Sequence, residues 1–188
     1  MSAPAAVRAI VSALNETDIP HMLTGSLASA YHGAGRATLD IDLVIDPTPD
    51  QLRALVQQLS GPDWYVSLDA ALEARHLESQ FNVIDLATGW KVDLIIRKSR
   101  PFSRAEFERR TPVEFEGVLL TVATLEDVIL AKLEWARLGA SARQLEDVAA
   151  LLRVRGGDID RDYLDRWIDE LGVREQWNAV GGEHPREA

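Results

Sequence analysis

The sequence predicts an α/β protein of the α+β kind, a mixed sheet flanked by helices with a C-terminal helical bundle. Three observations carry this expectation. Residues from about 20 to 122 alternate strand-like and helix-like patterns. Residues from about 124 to 178 read almost wholly as helix. The chain has 188 residues, 46% apolar and 27% charged, which suits one soluble globular domain or one domain with a small helical extension. The expected organisation is a core over 1–122, a helical subdomain over 123–180 packed on it, and a flexible tail over 181–188.

The elements follow in order. Ala6, Ile10 and Leu14 have the spacing of an amphipathic helix. HMLTG, His21 to Gly25, is a short strand ending in a glycine turn, and LASAYHG follows as a short helix with Ser26 placed as its N-cap. TLDIDLVID is a strand. Thr48-Pro49-Asp50 opens a helix that carries Leu52, Leu55, Val56 and Leu59 at helical spacing. WYVSL reads as a short strand and DAALEAR as a helix. FNVIDLATGWKVDLII gives two strands about Thr88-Gly89, and PVEFEGVLLTV a further pair about Gly117. The helical zone starts at Thr124, with Asp127 three residues on in the manner of a capping box. A second helix ends at Gly156-Gly157, a third is DIDRDYLDRWIDELG, and REQWNAV is a short last one.

Composition excludes several chemistries. There is no cysteine, so disulfides, thiolate catalysis and cysteine-based zinc sites are out. No apolar run approaches the length of a membrane span. The N-terminus lacks the basic lead and long apolar block of an export signal, so the cytoplasm is the expected location. The four histidines have no zinc spacing, Gly33-x-Gly35 lacks the third glycine of a dinucleotide fingerprint, and Ser26 lacks nucleophile-elbow glycines. The net charge of −10 argues against a grip on extended nucleic acid. The arginine-rich stretch from Arg97 to Arg110 is the local exception, read as a solvated, partly helical surface in preference to a polyanion grip.

Two aspartates stand one residue apart on an otherwise aliphatic strand. Alternation sends Asp40 and Asp42 to one face and Leu39, Ile41, Leu43 and Ile45 to the other. Neither acid has a basic residue two positions away in its own strand. Crowded carboxylates repel unless a cation arrives, and Mg²⁺ favours carboxylate oxygens. In GWKVDLIIR the same alternation puts Lys91, Asp93, Ile95 and Arg97 on one face. If the two strands are neighbours, Asp93 joins the pair, and three carboxylates suffice for two metal ions in phosphoryl or nucleotidyl transfer. Upstream, Gly25 permits close backbone approach, and its amide with that of Ser26 suits a phosphate at a helix start.

Thr24-Gly25-Ser26, thirteen residues, Asp40-Ile41-Asp42 and a later strand Asp93 together resemble the polymerase-beta-type nucleotidyltransferase superfamily, over roughly Ile19 to Val154. The resemblance implies a mixed nucleotidyltransferase-type sheet, two Mg²⁺ ions and a nucleoside triphosphate (an NTP such as ATP). It implies that Asp40 and Asp42 bind metal and phosphate, that Asp93 shares a metal and acts as base for an acceptor hydroxyl, and that Thr24, Gly25 and Ser26 hold the triphosphate. The C-terminal helices resemble the minimal bacterial branch that includes abortive-infection-type toxin nucleotidyltransferases. That resemblance assigns Lys132 to catalysis and the triphosphate and Asp147 to the nucleotide, and it implies an antitoxin partner. Aminoglycoside nucleotidyltransferases are a more distant similarity.

Lys132 stands out independently, because it falls among Leu125, Val128, Ile129, Leu133 and Ala136 on the apolar side of its helix. A lysine there needs a partner or an exit to solvent. Asp147 has a plainer alternative, a surface pair with Arg143 one turn earlier. Arg36 is a candidate phosphate contact. The acceptor is open among tRNA, protein and small molecule. A catalytically inactive nucleotide-binding module with a regulatory role is the alternative function.

Overall fold

The structure, a computed structural model, describes residues 3–35, 38, 40–115, 117–139 and 141–181. Arg36, Leu39 and the tail from 182 onward therefore lie outside the described residues. In chain order the elements are α1 (Ala3–Glu16), β1 (His21–Thr24), α2 (Gly25–Tyr31), β2 (Asp40–Ile45), α3 (Pro49–Gln58), β3 (Trp64–Tyr65), α4 (Leu68–His76), β4 (Gln80–Asp85), β5 (Lys91–Ile96), α5 (Pro101–Arg109), β6 (Thr111–Phe115), β7 (Val118–Val122), α6 (Leu125–Gly139), α7 (Ala142–Arg155), α8 (Arg161–Leu171) and α9 (Arg174–Ala179). The chain forms two compact units, Met1–Leu27 with Ala37–Ala123, and Ala28–Arg36 with Thr124–Ala188.

The first unit holds a seven-stranded sheet of order β3-β4-β5-β2-β1-β7-β6. It is mixed, as the sequence predicts. β2 runs parallel to β5 and β1 parallel to β7, while β1·β2, β3·β4, β4·β5 and β6·β7 are antiparallel. The expected hairpin at Thr88-Gly89 joins β4 to β5, with Gly89 at φ +74°. The pair about Gly117 is β6·β7.

Alternation sorts the central strands as the sequence reading requires. Ile41, Leu43 and Ile45 of β2 and Val92 and Leu94 of β5 are wholly buried. They form the unit's core with Ile10 and Leu14 of α1 and Leu52 and Leu55 of α3, all equally inaccessible. Truncating one such leucine to alanine costs about 2–5 kcal/mol, so this face fixes the sheet's orientation and register. α3 begins with a complete capping box between Thr48 and Gln51, with Pro49 in its first turn.

Two expectations need correction. Ser26 is not the cap of its helix, because α2 already starts at Gly25 and Ser26 lies buried in the first turn. The arginine-rich stretch is not simply solvated. Its central part is α5, which buries Phe102 and Phe107, with the Arg110 guanidinium stacked 4.0 Å from the Phe107 ring centroid.

The second unit is helical apart from its connections. Thr124 caps α6: its hydroxyl accepts from the Asp127 amide at 3.3 Å and donates to Asp127 Oδ2 at 2.7 Å. Tyr163 of α8 donates to the other oxygen, Asp127 Oδ1, at 2.7 Å. These contacts satisfy a carboxylate that is wholly buried. Among the described residues, no helix is long and apolar enough to cross a membrane.

Candidate active site

β2 lies between β1 and β5, and its register decides what Asp42 meets. On one flank Asp42 is the partner of Thr24, the last residue of β1 before the Gly25 turn. On the other flank it is the partner of Asp93. Neighbouring strands run about 4.8 Å apart, and paired residues of a ladder point to the same face. The small-residue turn and two of the three acids are therefore brought together by backbone hydrogen bonding alone. Asp40 lies two residues earlier on the same face, with Lys91 as its ladder partner.

Gly25 is held tightly in this arrangement. Its φ of +64° is one that glycine adopts without strain. A side chain there would also run into Asp42, because a Cβ would sit 2.7 Å from the Asp42 carboxyl carbon. The Asp42 carboxylate thus lies directly over the Gly25 backbone. Sequence reasoning anticipated the close approach, but assigned it to a phosphate alone.

The acids are not left to repel one another. Lys91 Nζ lies 2.9 Å from Asp93 Oδ2 and 3.7 Å from Asp40 Oδ1. The hydrogen bond to Asp93 is the main reason the Lys91 ammonium is held above its ordinary pKa, with the charges of Asp93, Asp40 and Asp42 adding to it against the cost of burial. Exposure grades across the cluster: the side chain of Asp40 is 56% exposed, that of Lys91 38% and that of Asp93 10%. Along their own strand neither Asp40 nor Asp42 has a basic residue two positions away, whereas Asp93 has Lys91 two residues before it. That Lys91 also reaches Asp40 follows only from the β2·β5 register.

Among the described residues, no group of three histidine, aspartate or glutamate side chains is arranged as it stands to hold a metal. Among the described residues the Lys91 ammonium lies beside two of these carboxylates, Asp93 and Asp40. The donor set nonetheless fits a hard divalent ion. It offers carboxylate oxygens only, and Oδ1 of Asp93 is buried with no hydrogen-bond partner. A buried charged oxygen without a partner is costly unless a cation or donor reaches it.

The other sequence-predicted residues sit as follows. Lys132 and Asp147 pair within the second unit, Nζ to Oδ2 at 2.7 Å, with side chains only 5% and 11% exposed. Gln144 Oε1 accepts from the same ammonium at 3.2 Å. Asp147 is therefore not a surface partner of Arg143. The buried lysine found its partner on the neighbouring helix, across the contact of α6 with α7.

No family model matches the chain. No curated protein matches it either. Solved structures do. The solution structure of the antibiotic-resistance factor ANT(2'')-Ia aligns with 95% of this chain and 95% of its own, at 16% identity and a TM-score of 0.53. An antigenic nucleotidyltransferase-like protein from Paracoccidioides brasiliensis aligns over 94% of this chain and 90% of its own, at 17% identity and a TM-score of 0.57. The lincosamide antibiotic adenylyltransferase LnuA, solved with lincomycin bound, aligns over 78% and 94%, at 11% identity and a TM-score of 0.51. The fold is that of the nucleotidyltransferases. Within this fold the strand order sets Asp42 between Thr24 and Asp93, on the strands on which the sequence resemblance rests.

Proposed function

We propose that this protein is a Mg²⁺-dependent nucleotidyltransferase that moves a nucleoside monophosphate from an NTP to an acceptor hydroxyl. The observation that carries the proposal is the position of Asp42, flanked by the Thr24-Gly25 turn on one side and by Asp93 on the other. The nucleotidyltransferase fold and its adenylyltransferase neighbours support it.

In this reading Asp40, Asp42 and Asp93 hold the magnesium ions. The ions supply charge neutralisation of the triphosphate and of the leaving pyrophosphate. Thr24, Gly25 and Ser26 bind and orient the phosphates through backbone amides and hydroxyls. Glycine at 25 keeps the path to the Asp42 carboxylate open, since any side chain there would strike it. The Asp93 carboxylate, which shares a metal, also takes the proton of the acceptor hydroxyl. The acceptor oxygen forms a bond to the α-phosphorus, and the bond from that phosphorus to the bridging oxygen breaks, its electron pair leaving with pyrophosphate. Burial of Asp93 limits competition from water for that proton. Arg36 is proposed as a further phosphate contact, and Lys132 with Asp147 as nucleotide-binding residues, by the sequence resemblance.

Acceptor labelling tests the proposal. Labelled triphosphate should pass its α-phosphate to an acceptor in a cell extract, and Asp42→Ala should lower this by at least about 10²-fold while leaving the circular dichroism spectrum unchanged. Full transfer by that variant would refute the site. The nucleotide-binding module is the second reading, favoured by the Lys91 ammonium already seated on Asp93. It predicts Mg²⁺-dependent nucleotide binding with no pyrophosphate release for any acceptor pool. A toxin role with an antitoxin partner is a further layer of the proposal, and growth arrest on expression of wild type but not of Asp42→Ala would support it.

A further inference from the structure

We propose that Lys91 is a tethered placeholder for the metal: its ammonium neutralises Asp93 and Asp40 in the nucleotide-free protein, so that divalent cation enters only in company with a triphosphate. The inference rests on the nucleotidyltransferase reading and adds an order of binding to it.

The placement of Lys91 follows from the sheet. It is the ladder partner of Asp40 across the parallel β2·β5 pair and stands two residues before Asp93 on one strand face. Its four-carbon stem lets Nζ reach both carboxylates, at 2.9 Å and 3.7 Å. The ammonium covers Oδ2 of Asp93 and leaves Oδ1 of the same carboxylate buried and without a partner. One oxygen is thus neutralised, and the other stays ready for an incoming cation. The lysine side chain is more than one-third exposed, so it can swing to water without an enclosed charge being stranded.

The competition is one of charge. A free divalent ion must displace an ammonium that already compensates two carboxylates and that loses its partners on leaving. An ion arriving with a triphosphate brings phosphate oxygens, which offer the displaced ammonium a new anionic partner and complete the ion's own oxygen shell. Without Lys91, Asp40 and Asp93 would lose the ammonium that lies between them, and the repulsion among neighbouring carboxylates would favour metal by itself. The lysine therefore lowers affinity for metal alone more than affinity for the metal–nucleotide pair.

Direct Mn²⁺ titration, followed by electron paramagnetic resonance of the free ion, tests this without any turnover. The probes are Mn²⁺ alone and Mn²⁺ with an α,β-methylene nucleoside triphosphate. Wild type should bind Mn²⁺ at least about ten-fold more tightly with the nucleotide than without. Lys91→Met should gain about ten-fold or more for Mn²⁺ alone and so narrow that gap. Lys91→Gln, which keeps a polar stem, should behave like Lys91→Met, and Lys91→Arg, which keeps the charge, like wild type. Circular dichroism checks that each variant is folded. If folded Lys91→Gln or Lys91→Met binds Mn²⁺ alone no more tightly than wild type, while wild type still takes up Mn²⁺ with nucleotide, the placeholder role is wrong and the functional reading survives. If wild type takes up no Mn²⁺ even with each of the four nucleotide bases, both fall together.

Discussion

Gly25 and His21 are a few residues apart on one short strand and its turn, yet they are constrained by different physics. At Gly25 the constraint is steric twice over: a left-handed φ of +64° and the Asp42 carboxylate pressed against the place a Cβ would take. Gly25→Ala should therefore cost about 1–3 kcal/mol in urea unfolding from backbone strain alone. It should also weaken metal–nucleotide binding, because Asp42 must move to make room. At His21 the constraint is dielectric. The ring is buried on the apolar face, Nδ1 donates to the Ile19 carbonyl at 3.0 Å, and Nε2 has no partner. Burial pushes its pKa below the ordinary value, the Ile19 hydrogen bond opposes this, and the charge of Arg110 adds to the depression. The sign follows. Above about pH 6.5 the ring is neutral both folded and unfolded, and its contribution is constant. As pH falls through that value the unfolded chain takes the proton first, and stability drops by at most about 1.4 kcal/mol per pH unit until the folded ring titrates. Urea midpoints measured from pH 7.5 down to pH 5 should decline for wild type and decline less for His21→Leu.

At the scale of elements, what could be read from the chain was what period alone encodes. A two-residue alternation placed Asp40, Asp42 and Asp93 on polar faces and Ile41, Leu43, Val92 and Leu94 in the core, and the core half of that is seen in their burial. The turn chemistry of Thr88-Gly89 and Gly117 gave both hairpins. Register is a different matter, because it depends on which strand neighbours which, and no local pattern states this. Hence Lys91 went unrecognised as the partner of Asp40 until β2 and β5 were seen side by side. Helix pairing hid Asp147 in the same way. The apolar surroundings of Lys132 announced a need for a partner, but only the α6·α7 contact says which acid supplies it. That pair makes a prediction of its own. Lys132→Met should take from the buried Asp147 carboxylate the ammonium that lies 2.7 Å from it, costing about 3–5 kcal/mol in unfolding experiments. Lys132→Met combined with Asp147→Leu should recover most of the loss, since replacing both partners by apolar groups removes the stranded charge. A double variant no more stable than the single one would show that Lys132 supports the fold by packing and not by its charge.

For the molecule as a whole, 30 acidic against 20 basic residues give a net charge of −10, and that sum bears directly on an anionic substrate. A triphosphate approaching an acidic protein gains nothing from long-range attraction, and at the site the carboxylates of Asp40, Asp42 and Asp93 would oppose the turn amides and the proposed contacts Arg36 and Lys132, with Lys91 already held by Asp93 and Asp40. Metal-free nucleotide should therefore bind poorly, and the metal–nucleotide pair well. The global charge was legible in the composition, but it could not show that the lysine is spent on the acids themselves. Thermal unfolding separates the two cases, because a ligand that binds only the folded state stabilises it by mass action, by about 2.7 kcal/mol at a hundred-fold excess over its dissociation constant. At least one of the four nucleoside triphosphates with Mg²⁺ should raise the melting temperature, and the same nucleotide with a chelator should not. Asp42→Ala should abolish the shift. An equal shift with the chelator present would mean that the phosphates are held by basic residues alone, and that the acids at 40, 42 and 93 serve something other than metal.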